Sequence, residues 1–471
     1  MGGFFGVVST QNCVSDLFFG TDYHSHLGPK RGGLTVMDGF CFQRYIHNIE
    51  NSPFRSKFED DIRKMTGRKG IGVISDSDDQ PLIIKSHLGK YALVTVGLVR
   101  NAKALAQKAL DERGVHLAEL RAGEINQTEV VATLINQEKS FTDGIRRVMD
   151  SVEGSCSMLL LTGEGIYAAR DKLGRTPIVV GKGEKGMAAA LETCAFPNLG
   201  FQIDRYLGPG EIGLLTESGY SEMKPPEERL QICAFLWVYY GFPASHYENI
   251  NVEVVRNRCG AALARNETIE IDSVAGIPDS GTGHGLGFAM ESHIPFKRPF
   301  VKYTPTWPRS FMPHNQKIRD LVATMKLIPI KELIRGKKLL FCEDSIVRGT
   351  QLQDTIQRLF AIGAREVHMR PACPPLIYKC KFLNFSRSRS EMDLAARKAV
   401  AGLKGAEAAR GEDVDLSAYT RSGSPEYEAM VDKIRRRLGL TSLRYQRLED
   451  LVDAIGLSKD KLCTYCWDGA E

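Results

Sequence analysis

The residues best equipped for chemistry lie in one short run, Leu339-Leu340-Phe341-Cys342-Glu343-Asp344-Ser345-Ile346-Val347-Arg348-Gly349-Thr350. An apolar stretch, read as a buried strand, ends in two adjacent carboxylates. A loop with Ser, Gly and Thr follows, and a helix is predicted from near Gln351. The carboxyl end of a parallel strand is where α/β folds bind their ligands. Backbone N–H groups from Val347 to Thr350, the Ser345 and Thr350 hydroxyls and the helix N-terminus can together cradle a phosphate. The carboxylates of Glu343 and Asp344 can accept from vicinal hydroxyls or offer oxygen to a hard divalent cation. An ordinary strand leading into a capped helix explains Ser and Thr, but not paired carboxylates followed by Gly-Thr.

A second strand ends in Ile277-Pro278-Asp279-Ser280-Gly281-Thr282, a turn whose amides and hydroxyls suit a pyrophosphate. Arg309, Phe311, Gln316, Arg319 and Lys326 follow on a connecting segment and could meet a multiply charged anion. At the C-terminal end, Cys463-Thr464-Tyr465-Cys466 places two thiols at the spacing of metal or cluster ligands. Cys13, Cys41, Cys156, Cys194, Cys259, Cys342 and Cys373 read as small buried hydrophobes.

The elements that must position these groups fall into two textures. Residues 1–228 carry short β-type runs at Phe4–Val8, Gly70–Ile74, Tyr91–Val96, Met158–Thr162, Thr176–Gly181 and Glu211–Leu215, with helical patterns over 101–113, 126–138 and 141–149. Pro225-Pro226-Glu227-Glu228 marks the expected boundary. Residues 229–471 alternate strands (Ser273–Ile277, Phe300–Tyr303, Lys338–Cys342, Glu366–Arg370) with helices, the rhythm of a parallel sheet. The polar stretch 384–432 reads as a helical excursion with flexible joints, its Arg387 and Arg389 on a solvated face. The chain has 471 residues, enough for two or three domains, and 43% hydrophobic content, which excludes a disordered chain. A net charge of +5 is too slight to argue for nucleic acid or an anionic membrane. With no membrane-length apolar run and no secretory signal, a cytoplasmic protein with reduced thiols is expected.

The loop at Glu343–Thr350 resembles the phosphoribosyl pyrophosphate loop of type I phosphoribosyltransferases. With the Ile277–Gly281 turn and the Arg309, Phe311, Gln316, Arg319 and Lys326 run, it is similar to the amidophosphoribosyltransferase family, which makes 5-phosphoribosylamine at the first committed step of purine synthesis. In the first half, Val152-Glu153-Gly154, Arg170–Gly174, Glu192–Ala195 and Pro209–Ile212 match the family's glutaminase framework. The resemblance implies an N-terminal-nucleophile-type α/β/β/α sandwich over 1–228 and a type I phosphoribosyltransferase domain over 229–471. It implies Ser280, Glu343 and Asp344 around Mg²⁺ and ribose, with Glu343 one methylene longer than the family's Asp. Ser345, Ile346, Val347, Arg348, Gly349 and Thr350 would take the 5-phosphate, and Asp279, Ser280, Arg309 and Lys326 the rest of the donor. The family's iron–sulfur type implies a [4Fe–4S] cluster on Cys233, Cys380, Cys463 and Cys466, and a tetramer.

The glutaminase half departs from that pattern. The family's N-terminal Cys supplies both nucleophile and α-amine base, but Gly2 stands in its place. Gly-x-Gly-His-x-Arg-Tyr appears as Gly70-Ile71-Gly72-Val73-Ile74-Ser75-Asp76, and His-Asn-Gly-Asn as Thr95-Val96-Gly97-Leu98. The Asp that would hold the glutamine amine aligns with Gln127. Ser75 is too short and neutral to pair a carboxylate, and Val96 has no donor for an oxyanion. The expectation is a transferase that takes ammonia from solution or from a partner glutaminase. The alternatives are a non-catalytic paralogue sensing the donor or a nucleotide, and a transferase using another amine.

Overall fold

Strand alternation divides the first half into layers. In Gly3–Ser9, Phe4 and Val8 point into one core, while Phe5 and Val7 point into another. This strand lies centrally in a seven-stranded antiparallel sheet ordered 202–206, 179–183, 186–190, 3–9, 69–75, 31–38, 41–48. A six-stranded antiparallel sheet, ordered 219–224, 212–216, 166–169, 154–161, 89–99, 82–86, faces it. Phe4, Val8, Ile71, Val73, Val94, Val96, Leu159 and Leu161 fill the space between the sheets. Helices Val14–Asp22 and Phe54–Ile62 cover the first sheet's outer side through Leu17, Phe18, Phe54 and Phe58. Helices Gln127–Ile135 and Phe141–Ser151 cover the second through Val131, Ile135, Ile145 and Val148. The result is an α/β/β/α sandwich. This computed structural model describes the chain apart from residues 1, 29, 40, 77, 114–115, 119, 122–123, 304–326, 384–389 and 406–414.

The second half is built on a four-stranded parallel sheet ordered Ser273–Gly276, Lys338–Glu343, Glu366–Pro371, Ser442–Leu443. Its central strand is buried on both faces, which explains the unbroken Leu339-Leu340-Phe341-Cys342 run. Leu340 and Cys342 pack towards helices Val252–Arg265 and Gly281–Ser292, and Leu339 and Phe341 towards Thr350–Ile362 and Pro425–Leu438. The last strand of the six-stranded sheet ends at Lys224. Ile232–Cys233 then pairs in parallel with Leu462–Cys463, tying the C-terminal segment to the start of the second half. Among the described residues no helix is long and apolar enough to cross a membrane.

Several expectations are corrected. Phe300–Lys302 does not join the parallel sheet; it pairs antiparallel with Leu327–Pro329. The strand expected from Thr176 begins at Val179, because the Thr176 amide and hydroxyl are drawn to the Asp171 carboxylate in a turn. The described part of 384–432 is helical as expected, at Ala395–Lys404, Ser417–Thr420 and Pro425–Leu438, but it packs as core and not as a polar appendage. Leu394, Ala395, Ala399, Val400, Tyr427 and Met430 are core, and Arg397 is fully buried, donating to the Ile377 carbonyl at 2.7 Å. Arg387 and Arg389 lie outside the described residues. Cys41 is exposed, because it starts the strand at the open edge of the seven-stranded sheet.

Candidate active site

The two predicted loops meet at the carboxyl ends of adjacent parallel strands. Ser280, just before helix Gly281–Ser292, donates its hydroxyl to Asp344 Oδ2 at 2.5 Å. Ser345 donates to Asp344 Oδ1 at 2.6 Å, so both carboxylate oxygens of this 5% exposed residue are engaged. The Asp344 amide donates to Glu343 Oε1 at 3.3 Å. Burial and the adjacent Asp344 carboxylate push the Glu343 carboxyl well above the usual carboxylate range. The oxygen-only set of Ser280, Glu343 and Asp344 has the donor chemistry a hard cation takes. Among the described residues, however, no group of three or more His, Cys, Asp or Glu is already arranged to hold a metal ion.

The phosphate-type loop turns on Gly349, whose φ of 77° lies in the left-handed region. That conformation lets the chain enter helix Thr350–Ile362 with the amides of the turn grouped at its N-terminus. Ile346 is anchored in the core, at 4% exposure. The Arg348 side chain is directed to Asp393 Oδ2 at 3.7 Å, and the Val347 carbonyl accepts from the Ala395 amide at 2.7 Å. Residues of the 391–404 segment therefore brace the loop from outside, a role no local sequence signal announced. Asp279 is exposed and ion-paired with Lys302, so its carboxylate is turned to that partner, not to Asp344. Arg309 and Lys326 lie outside the described residues.

The four candidate cluster cysteines converge although they are far apart in sequence. Cys233 and Cys463 are register partners in parallel strands. The Cys466 and Cys380 thiols are hydrogen-bonded to each other, and the Cys233 and Cys463 thiols lie within electrostatic reach of them. Burial pushes the Cys233 thiol well above the ordinary value, and the hydrogen bond with Cys380, then burial, does the same for Cys466. The Arg175 guanidinium, hydrogen-bonded to Cys463, works the other way there. Arg175 stacks on Phe382, 3.6 Å from the ring centroid. An all-sulfur set of neighbouring buried and half-buried thiols is the chemistry an iron–sulfur cluster takes.

In the first half, Gly2, Ser75, Val96 and Gln127 are distant in sequence but line one cavity, together with Asp76, Asp78, Gln80, Thr95 and Cys156. It encloses about 50 Å³, room for only ~3–5 waters at roughly 10–15 Å³ each. A Cβ on Gly2 would stand 2.0 Å from the Ile74 carbonyl oxygen.

Residues 68–197 match the family model of a glutamine amidotransferase domain. The chain is 28% identical over 501 residues to the amidophosphoribosyltransferase of Methanocaldococcus jannaschii, covering 100% of this chain and 97% of that protein. It is 27% identical over 443 residues to the amidophosphoribosyltransferase of Archaeoglobus fulgidus, covering 91% and 88%. Its backbone superposes with a TM-score of 0.83 on the glutamine phosphoribosylpyrophosphate amidotransferase of Bacillus subtilis in complex with ADP and GMP, at 26% identity over 99% of this chain and 96% of that one. The chain is a relative of the amidophosphoribosyltransferases. The likeness spans both halves, so the amidophosphoribosyltransferase framework covers the cavity at Gly2 as well as the paired loops at Ser280 and Asp344.

Proposed function

We propose that this chain is a phosphoribosyltransferase that makes 5-phosphoribosylamine from phosphoribosyl pyrophosphate for purine nucleotide synthesis, using ammonia and not glutamine of its own hydrolysis. The observation that carries the transferase reading is the convergence of Ser280, Glu343, Asp344 and the Ser345–Thr350 loop at two parallel-strand ends. The loop amides and the Thr350 hydroxyl would hold the 5-phosphate. Glu343 and Asp344 would take the ribose hydroxyls and, with Ser280, the Mg²⁺ that in such chemistry neutralises the leaving pyrophosphate. Ammonia forms the new bond to the anomeric carbon as the bond to pyrophosphate oxygen breaks, and a proton is then lost from nitrogen. The protein's contribution is to fix that line of attack, with Asp344 itself held by two serine hydroxyls.

What supports the loss of glutaminase chemistry is the set of groups around the first-half cavity. Gly2 offers no thiol, Val96 no side-chain donor and Ser75 no cation for a carboxylate. The proposed [4Fe–4S] cluster on Cys233, Cys380, Cys463 and Cys466 would be structural, since four thiolates close its coordination. A homo-oligomer, by likeness to the family, and a partner glutaminase as ammonia source complete the reading.

The test is anaerobic incubation of purified protein with Mg²⁺ and phosphoribosyl pyrophosphate, following pyrophosphate release with ammonium and separately with glutamine. Turnover with ammonium alone is expected. Turnover with glutamine overturns the reading of Gly2, Ser75 and Val96, and silence with both overturns the transferase.

A further inference from the structure

A second cavity of about 110 Å³ shares one lining residue, Cys156, with the first. At roughly 10–15 Å³ per water on this measure, it has space for a group the size of a phosphate. One part of the lining is apolar, formed by Val148 and Met149 of the helix that covers the second sheet and by Val152 just after it. The other side is formed by Ser155, Asp171, Lys172 and Arg175.

On that polar side two donors have no acceptor of their own. Ser155 is 2% exposed and Arg175 is 5% exposed, yet Ser155 Oγ and Arg175 Nε have no hydrogen-bond partner among the described residues. Lys172 adds an ammonium, ion-paired at 2.8 Å with Asp150, which does not line the cavity. Asp171 does not supply the missing acceptor. Its carboxylate already receives the amides of Leu173, Arg175 and Thr176 and the hydroxyls of Ser157 and Thr176. Arg175 is fixed from behind by stacking on Phe382, by Gln231 Oε1 at 3.4 Å and by the Cys463 thiol. Its Nε is left buried without an acceptor, in a residue that lines the cavity. Two buried donors, the Arg175 guanidinium and the Asp150-paired Lys172 ammonium border this partly open cavity, and with the Asp171 carboxylate already saturated by donors, a ligand that only accepts suits them.

We propose that this cavity is a binding site for a phosphate-sized tetrahedral oxyanion, held by Ser155, Lys172 and Arg175. The site is lined by first-half residues alone, and its Arg175 also reaches Gln231 and Cys463 of the second half. The ion comes either from free phosphate or from the pyrophosphate that the proposed transfer releases.

Equilibrium dialysis of the full chain against labelled inorganic phosphate tests it, comparing wild type with Ser155→Val, Lys172→Gln and, in the other loop, Thr350→Val. Lys172 is half exposed, so Lys172→Gln keeps the fold whatever becomes of Ser155→Val. The expected result is one equivalent weakened about tenfold or more by Lys172→Gln and by Ser155→Val, but untouched by Thr350→Val. Preference for phosphate over acetate is also expected. Displacement of that equivalent by pyrophosphate identifies the reaction product as source, and its retention identifies the free ion. Binding equal in wild type, Ser155→Val and Lys172→Gln, or equal affinity for acetate, overturns the site. Failure of the transferase reading shows separately, as the absence of a second phosphate equivalent that Thr350→Val removes.

Discussion

Gly2 and Ile74 are packed so closely that a Cβ on Gly2 would lie 2.0 Å from the Ile74 carbonyl oxygen. The neighbouring residues Gly3 and Ile74 are register partners in adjacent strands, so the clash is with ladder backbone and not with a movable side chain. The position where a nucleophile is expected therefore lacks both the thiol and the space for one.

Gly2→Cys is expected to leave the protein without glutaminase activity and to destabilise it by about 1–3 kcal/mol, the usual cost of overpacking. Ammonia release from glutamine and a melting curve check this. Glutamine hydrolysis by the single variant would show that Val96, Ser75 and Gln127 are no obstacle.

Asp344 is held by Ser280 and Ser345 at 2.5 and 2.6 Å, and this mutual fixing makes a graded prediction. Asp344→Ala should abolish ammonium-dependent turnover with the fold intact. Ser280→Ala should reduce it on the order of 10²-fold, because the carboxylate loses one of its two positioning bonds. Pyrophosphate release and circular dichroism are the measurements. Full activity in Asp344→Ala would remove the residue from the site.

The loop was legible in sequence because its chemistry is local. Two carboxylates, a left-handed glycine and a helix start are contiguous, and the apolar run before them fits only a strand covered on both faces. The grouping of Gly2, Ser75, Val96 and Gln127 was legible only through resemblance, since no periodicity brings four strands and helices to one cavity. What stayed hidden depends on tertiary partners. A buried arginine at position 397 turned a polar-looking segment into core by donating to the Ile377 carbonyl. Asp393 and Ala395 brace the loop through contacts that no spacing encodes. Arg175 sat inside a motif read as framework, and its place beside Cys463 follows from the pairing of Ile232–Cys233 with Leu462–Cys463.

The thiol group gives a prediction about composition. Cys463→Ser or Cys466→Ser should yield protein without brown absorbance, without stoichiometric iron and sulfide, and with low solubility, because the Leu462–Asp468 end is tied down through these residues. Iron and sulfide analysis after anaerobic purification decides it. Retention of the full cluster complement and solubility in both variants would release these cysteines from that role.

His24 supplies a pH dependence. It is fully buried; its Nδ1–H donates to the Gly20 carbonyl at 2.8 Å and its Nε2 accepts from the Glu192 amide at 3.1 Å. Both ring nitrogens are thus used by the neutral form, and burial lowers its pKa from 6.5 to about 4. The unfolded chain binds this proton more readily than the folded one. The stabilisation is accordingly complete above pH ~6.5 and is lost as pH falls towards ~4, up to about 3 kcal/mol from this group. Protonation would set an N–H against the Glu192 N–H, so the interface between the first strand's neighbourhood and the 192–195 turn should open first. Denaturant titrations at pH 7 and pH 4.5 should show that loss in wild type and a smaller one in His24→Gln, where the remaining acid limb includes His284, lowered to about 3 by burial, His368, lowered by burial as well, and the ion-paired carboxylates. An equal loss in both proteins would take His24 out of the acid response.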